Sequence, residues 1–166
     1  MQAMIFQEQH HYTPPEKRHY RNYSNCKEWQ ILIIIGNKNH CGKSNWDEGA
    51  FVIKNHLGQS VKKGCFSWHV RNKKTSNLLA IREALYTTWK EGYRKVILLV
   101  SSENLAEELE TINTNNKEAK ILLEDIRIQK RMFQSLQIKV SPEPIFQEAQ
   151  QLVKMATQSF VHTLWH

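Results

Sequence analysis

Trp29-Gln-Ile-Leu-Ile-Ile-Ile35 is the stretch that decides the fold. Side chains alternate across a strand, so a run apolar at successive positions is apolar on both faces and belongs in the middle of a covered sheet. A second such run, Val96-Ile-Leu-Leu-Val100, stands further along. Between the two, Leu78, Ile81, Leu85 and Trp89 recur at spacings of three, four and four, which places them on one helical stripe. Thr75 or Ser76 can offer a hydroxyl to the unpaired first-turn N–H groups, and Gly92 suits the left-handed position that ends a helix. A helix that crosses between two buried strands implies a parallel pair joined by a right-handed connection.

Working outward, Ala50–Lys54 and Ser60–Val70 read as two strands of a hairpin about Asn55-His-Leu-Gly58, with Gly58 available for a positive φ. Gly36–Asn45, punctuated by Asn, Gly and Ser, reads as a loop. After the second buried strand come a short acidic helix, Glu103–Glu110, and a loop over Asn113–Asn116. Lys117–Phe133 then reads as a longer helix with Ile121, Leu122, Ile126 and Phe133 facing inward. Leu136–Val140 is a short strand, and Ser141-Pro-Glu-Pro144 breaks the chain before a last helix striped by Ile145, Ala149, Leu152, Ala156 and Phe160. The expected class is α/β: a five-stranded mixed sheet with helices on both faces over residues 29–166. Residues 1–28, rich in His, Tyr, Pro and charge without a period, read as a flexible basic arm.

Composition narrows the function classes. A chain of 166 residues with 40% hydrophobic content fits one domain with a real core. The longest apolar run, Ile31–Ile35, is far too short to span a bilayer, which argues against a membrane protein. Met1–Thr13 has neither a basic start nor an apolar block, so no secretory signal is read. Cys26, Cys41 and Cys65 are odd in number and lack CxxC spacing, which fits a reducing, intracellular compartment. The net charge of +7 is one-sided: residues 1–75 hold 12 Lys/Arg against 5 Asp/Glu, and residues 76–166 hold 11 of each. Such a surface suits a polyanion, because neutralised phosphates release counterions.

Three segments together resemble the ribonuclease H family, especially its plant and retroelement-related branch. They are Gly49-Ala-Phe-Val-Ile-Lys-Asn-His-Leu-Gly58; Leu78-Leu-Ala-Ile-Arg-Glu-Ala-Leu85 running through Trp89-Lys-Glu-Gly-Tyr-Arg-Lys-Val-Ile-Leu98; and Val140-Ser-Pro142 with Glu148-Ala-Gln-Gln-Leu-Val-Lys-Met-Ala156. The resemblance implies a ribonuclease H-like fold. It also implies a site in which four acids hold two magnesium ions that clamp the attacking and leaving oxygens of a phosphodiester. Followed residue by residue, those four positions carry Ile35, Asn77, Ser101 and Gln150. An isoleucine cannot ligate a hard cation, and three neutral polar groups bring no charge to offset its dehydration. Asp47, Glu48 and Glu103 are each displaced from the required positions by two or more residues. The expectation is therefore a domain without catalytic residues or a cofactor; Mg2+ enters only if the chain is a divergent ribonuclease H.

Trp68-His-Val-Arg-Asn-Lys-Lys74 interleaves an aromatic with cationic groups. Lys38, Lys43, Lys62, Lys63, Arg71, Lys73 and Lys74 are the candidates for phosphate contacts, with Trp68 as a stacking platform. His162 and His166 have i, i+4 spacing and His40 adjoins Cys41, but no further ligand is spaced to complete a zinc site. Gly42-Lys43-Ser44 lacks the upstream glycine of a phosphate-binding loop, and no glycine-flanked elbow surrounds Ser101-Ser102. The sequence points first to a binding module for RNA, an RNA/DNA hybrid or a protein. A divergent nuclease and a structural piece of a ribonucleoprotein are the alternatives.

Overall fold

A computed structural model describes residues 2–6, 29–37, 46–69, 75–111 and 115–164. The elements are β1 (Gln2–Phe6), β2 (Gln30–Asn37), β3 (Trp46–Lys54), β4 (Ser60–His69), α1 (Ser76–Lys90), β5 (Lys95–Val100), α2 (Glu103–Thr111), α3 (Lys117–Met132), β6 (Ser135–Val140) and α4 (Gln147–Leu164). A 3-10 turn at Glu143–Phe146 leads into α4. The six strands form one mixed sheet in the order β1-β4-β3-β2-β5-β6.

The doubly apolar β2 is central, antiparallel to β3 and parallel to β5, and β5 is parallel to β6. Alternate residues along these strands feed two separate halves of the core. Ile34, Phe51, Ile53, Phe66, Val96 and Leu98 meet α1 and α3. Ile31, Ala50, Val52, Cys65, Ile97 and Leu99 meet α4 and the 3-10 turn. Phe51 and Phe66 stack at 5.3 Å between ring centroids, which is the cross-strand aromatic packing that fixes a register. The β3–β4 hairpin turns as expected at Asn55–Gly58, with Gly58 at φ 79° and the Asn55 carboxamide accepting from the N–H groups of Leu57 and Gln59.

The structure departs from the sequence reading at several elements. Gln2–Phe6, assigned to an extended arm, pairs antiparallel with β4 and adds a sixth strand at the edge. Five residues without clear alternation give too weak a signal for a strand whose partner lies some sixty positions away. Ile121, expected inward, is 63% exposed, because the buried stripe of α3 runs through Ala119, Leu122, Leu123 and Ile126. Thr75 occupies the N-cap position of α1 but makes no side-chain capping bond. β3 begins at Trp46, four residues before the expected strand.

Candidate functional site

β2 and β5 run parallel and end side by side, and α1 starts and α2 begins at that same end of the sheet. In an open α/β sheet the crevice outside the carboxyl ends of parallel strands is where ligands bind. Here it holds a cavity of about 440 Å³, lined by Ile34, Ile35 and Gly36 from the end of β2, Asn77 and Ile81 from α1, Ser101, Ser102 and Leu105 beyond β5, and Glu143, Phe146, Gln150, Val153 and Lys154 from the last segment. The lining follows from element geometry. Asn77 and Ile81 are one helical turn apart, as are Gln150 and Lys154, so each pair shares a face. Gly36 permits the close approach of α1 to β2: a Cβ there would lie 2.8 Å from Asn77 Oδ1 and 3.1 Å from the Ser76 carbonyl oxygen.

The four positions singled out by the sequence, Ile35, Asn77, Ser101 and Gln150, therefore converge on one cavity. Among the described lining residues Glu143 is the one carboxylate, and Gln150 Nε2 donates to Glu143 Oε1 at 2.9 Å. Among the described residues no group of three or more His, Cys, Asp or Glu side chains could hold a metal ion. One carboxylate among amides, hydroxyls and an isoleucine does not fit a pair of magnesium ions, which need several hard anionic ligands. Asp47 and Glu48 are buried, at 1% and 0% exposure, and Glu103 is exposed at the start of α2; none of the three lines the cavity.

The basic cluster is divided. Lys62 and Lys63 are neighbours on β4 and so project to opposite faces of the sheet. Lys62 Nζ meets Glu91 at 2.6 Å on the α1 side, and Lys63 Nζ meets Glu148 at 2.7 Å on the α4 side. In the ladder, Lys63 aligns with Val52 and Ile33, whereas the cavity end of the sheet aligns Phe66, Gly49 and Gly36, three positions or about 10 Å further on. Trp68 is 4% exposed and lies under α1, with its ring over Gly49. An indole so placed is core, and it does not present a face to a base. Lys38, Lys43, Arg71, Lys73 and Lys74 lie outside the described residues, as do His40, Cys41 and His166 and the side chains of Ala156, Phe160 and His162. In sequence those five basic residues fall between β2 and β3 and between β4 and α1.

Sequence reasoning did not single out Glu143, Phe146 or Lys154. A signal for Lys154 existed, since it stands one helical turn beyond Gln150. Glu143 was hidden in a Pro-flanked break that has no period to read.

A mixed sheet in this order, with a helix crossing between two parallel strands over a cavity at their carboxyl ends, defines a ribonuclease H-like fold. The chain matches the family model described as reverse transcriptase-like over residues 40–156 and belongs to that family. Among solved structures it is similar to the RNase H1 of the halophilic archaeon Halobacterium salinarum, with 17% identity, a TM-score of 0.71 and coverage of 79% of this chain and 98% of that one. It is also similar to LC11-RNase H1 in complex with an RNA/DNA hybrid, at 16% identity and TM-score 0.68, covering 80% of this chain and 99% of that one. A foamy viral protease-reverse transcriptase in complex with dsDNA matches at 11% identity and TM-score 0.57, over 76% of this chain and 89% of that one. At these identities the likeness is one of fold. No curated protein matches by sequence. Among the described residues no helix is long and apolar enough to cross a membrane.

Proposed function

We propose that this chain is a ribonuclease H-like module that binds RNA or an RNA/DNA hybrid without cleaving it. The observation that carries the reading is the cavity at the carboxyl ends of β2 and β5, where Ile35, Asn77, Ser101 and Gln150 stand together and Glu143, already engaged by Gln150, is the one carboxylate among the described lining residues. In-line hydrolysis assisted by two metal ions needs a cluster of carboxylates at that point. Binding does not, because affinity for a nucleic-acid backbone comes from cations spread along a surface. Two structural neighbours are complexes with nucleic acid, one an RNA/DNA hybrid and one dsDNA, which supports a polyanionic partner for this fold.

The phosphate contacts fall to Lys38, Lys43, Arg71, Lys73 and Lys74, which flank the cavity end of the sheet in sequence. Lys62 and Lys63 are left as members of ion pairs. A salt titration of hybrid affinity tests this. The expected slope of log K against log salt is about −0.9 for each phosphate neutralised, reduced by roughly two in the Lys73→Ala/Lys74→Ala double variant. Lys62→Ala should leave the slope unchanged. Absence of binding at low salt, or a slope indifferent to Lys73 and Lys74 but sensitive to Lys62, contradicts the reading.

A further inference from the structure

The cavity's polar groups do not form a metal site, but they form a coherent set for a different ligand. We propose that it is a pocket for a single unstacked nucleobase bearing an exocyclic amino group; this rests on the nucleic-acid reading above and specifies what its cavity does.

Size and wall chemistry come first. A cavity of about 440 Å³ is within the range of small-molecule pockets. The half-buried Ile35 supplies an apolar wall against which a flat ring loses its water, with the buried Ile81, Phe146 and Val153 packed behind the lining. Charge comes second. Among the described lining residues Glu143 is the one acid and Lys154 the one base, so these residues together carry no net charge. A site of that balance favours a neutral ring over a free phosphate or a divalent cation.

Hydrogen bonding then narrows the ring. A carboxylate only accepts, so the Gln150 amino group must face Glu143, and the Gln150 carbonyl oxygen is left as an acceptor. The second Glu143 oxygen is a further acceptor. Asn77 offers an amide edge, with a donor and an acceptor side by side, and makes no hydrogen bond to another described residue. An Asn or Gln amide matches the adjacent donor and acceptor of adenine, and a carboxylate accepts from the amino group of cytosine. Uracil offers these acceptors the single N–H at N3, whereas the amino group of adenine or cytosine offers two. Unstacked bases presented to apolar walls and read along their edges are how single-stranded nucleic acid is recognised elsewhere. Lys154, exposed at the rim on the α4 side, is placed to meet a phosphate of the strand that carries the base.

Uncharged nucleosides test the pocket apart from the backbone. Adenosine, cytidine and uridine are titrated into the full chain and followed by saturation-transfer NMR and calorimetry. The expected result is one-to-one binding of adenosine or cytidine that is insensitive to salt, with uridine at least about tenfold weaker. Asn77→Leu and Gln150→Met should each weaken that binding by about tenfold or more, with an unchanged circular dichroism spectrum showing that the variants fold. Equal binding of uridine, or binding indifferent to both substitutions, overturns the proposal. Oligonucleotides that bind with a steep salt slope while no nucleoside binds at millimolar concentration remove the pocket and leave the functional reading intact. Nucleosides that bind while oligonucleotides do not support the pocket and remove that reading.

Discussion

Glu148 shows how single residues fix the sheet to α4. Its carboxylate meets Lys54 Nζ at 2.6 Å and Lys63 Nζ at 2.7 Å, and it accepts from the Ser60 hydroxyl at 2.9 Å. Lys54 is fully buried, and the Glu148 carboxylate meets its charge there. Burial alone would raise the Glu148 pKa, but the hydrogen bonds and charges of Lys54 and Lys63 outweigh it, and the net shift is downward. An acid whose pKa is lowered on folding stabilises the folded state above its unfolded pKa of about 4.3, and that contribution is lost as pH falls through the lower folded value. Glu148→Gln should destabilise the protein by about 3–5 kcal/mol at neutral pH, since it removes the carboxylate that pairs with the buried Lys54 and with Lys63. Its stability should also fall less steeply below about pH 4.3 than that of the parent. Lys54→Met should cost less, because Glu148 keeps Lys63. Urea unfolding of the three proteins across pH reads both effects, and a Glu148→Gln variant as stable as the parent would show the network to be idle.

The helix α1 carries the fold at the next scale. It approaches the sheet at Gly49, where a Cβ would lie 2.7 Å from the Trp68 ring and 2.9 Å from the Ala80 Cβ. Gly49→Ala must push α1 off the sheet or turn Trp68, and overpacking of this kind costs about 1–3 kcal/mol. The check is thermal unfolding, together with the fluorescence of the displaced indole; a melting point unchanged by Gly49→Ala contradicts the close packing. α1 is legible in the sequence because Leu78, Ile81 and Leu85 are all buried on one stripe. α3 is half legible. Its apolar residues occupy both faces, with Ile121 and Ile128 exposed opposite Leu122 and Ile126, so periodicity alone could not say which face is inside. Trp68 illustrates the same limit: in sequence it sits among cations, and only the strand's alternation with Phe66 places it in the core.

The whole molecule is a sheet whose order sets the site. The strand order and the parallel β2–β5 pair bring Ile35, Asn77, Ser101 and Gln150, scattered over more than a hundred residues of sequence, to one cavity. Those four positions are legible from the sequence motifs alone. Lys154 follows from Gln150, one helical turn before it, but Glu143 is not legible, because its place in the lining depends on how the 3-10 turn closes over the end of β2. A ligand that binds only the folded state raises its melting temperature. Millimolar magnesium should therefore leave the melting temperature of this chain unchanged beyond the effect of ionic strength, whereas a specific rise contradicts the mismatch between the cavity's donors and a pair of magnesium ions. The most direct measurement is incubation of the purified protein with a labelled RNA/DNA hybrid in magnesium or manganese, with binding and cleavage read from the same sample. The expected result is a bound hybrid that stays intact. Metal-dependent cleavage that disappears in Glu143→Gln or Asp47→Asn would contradict it.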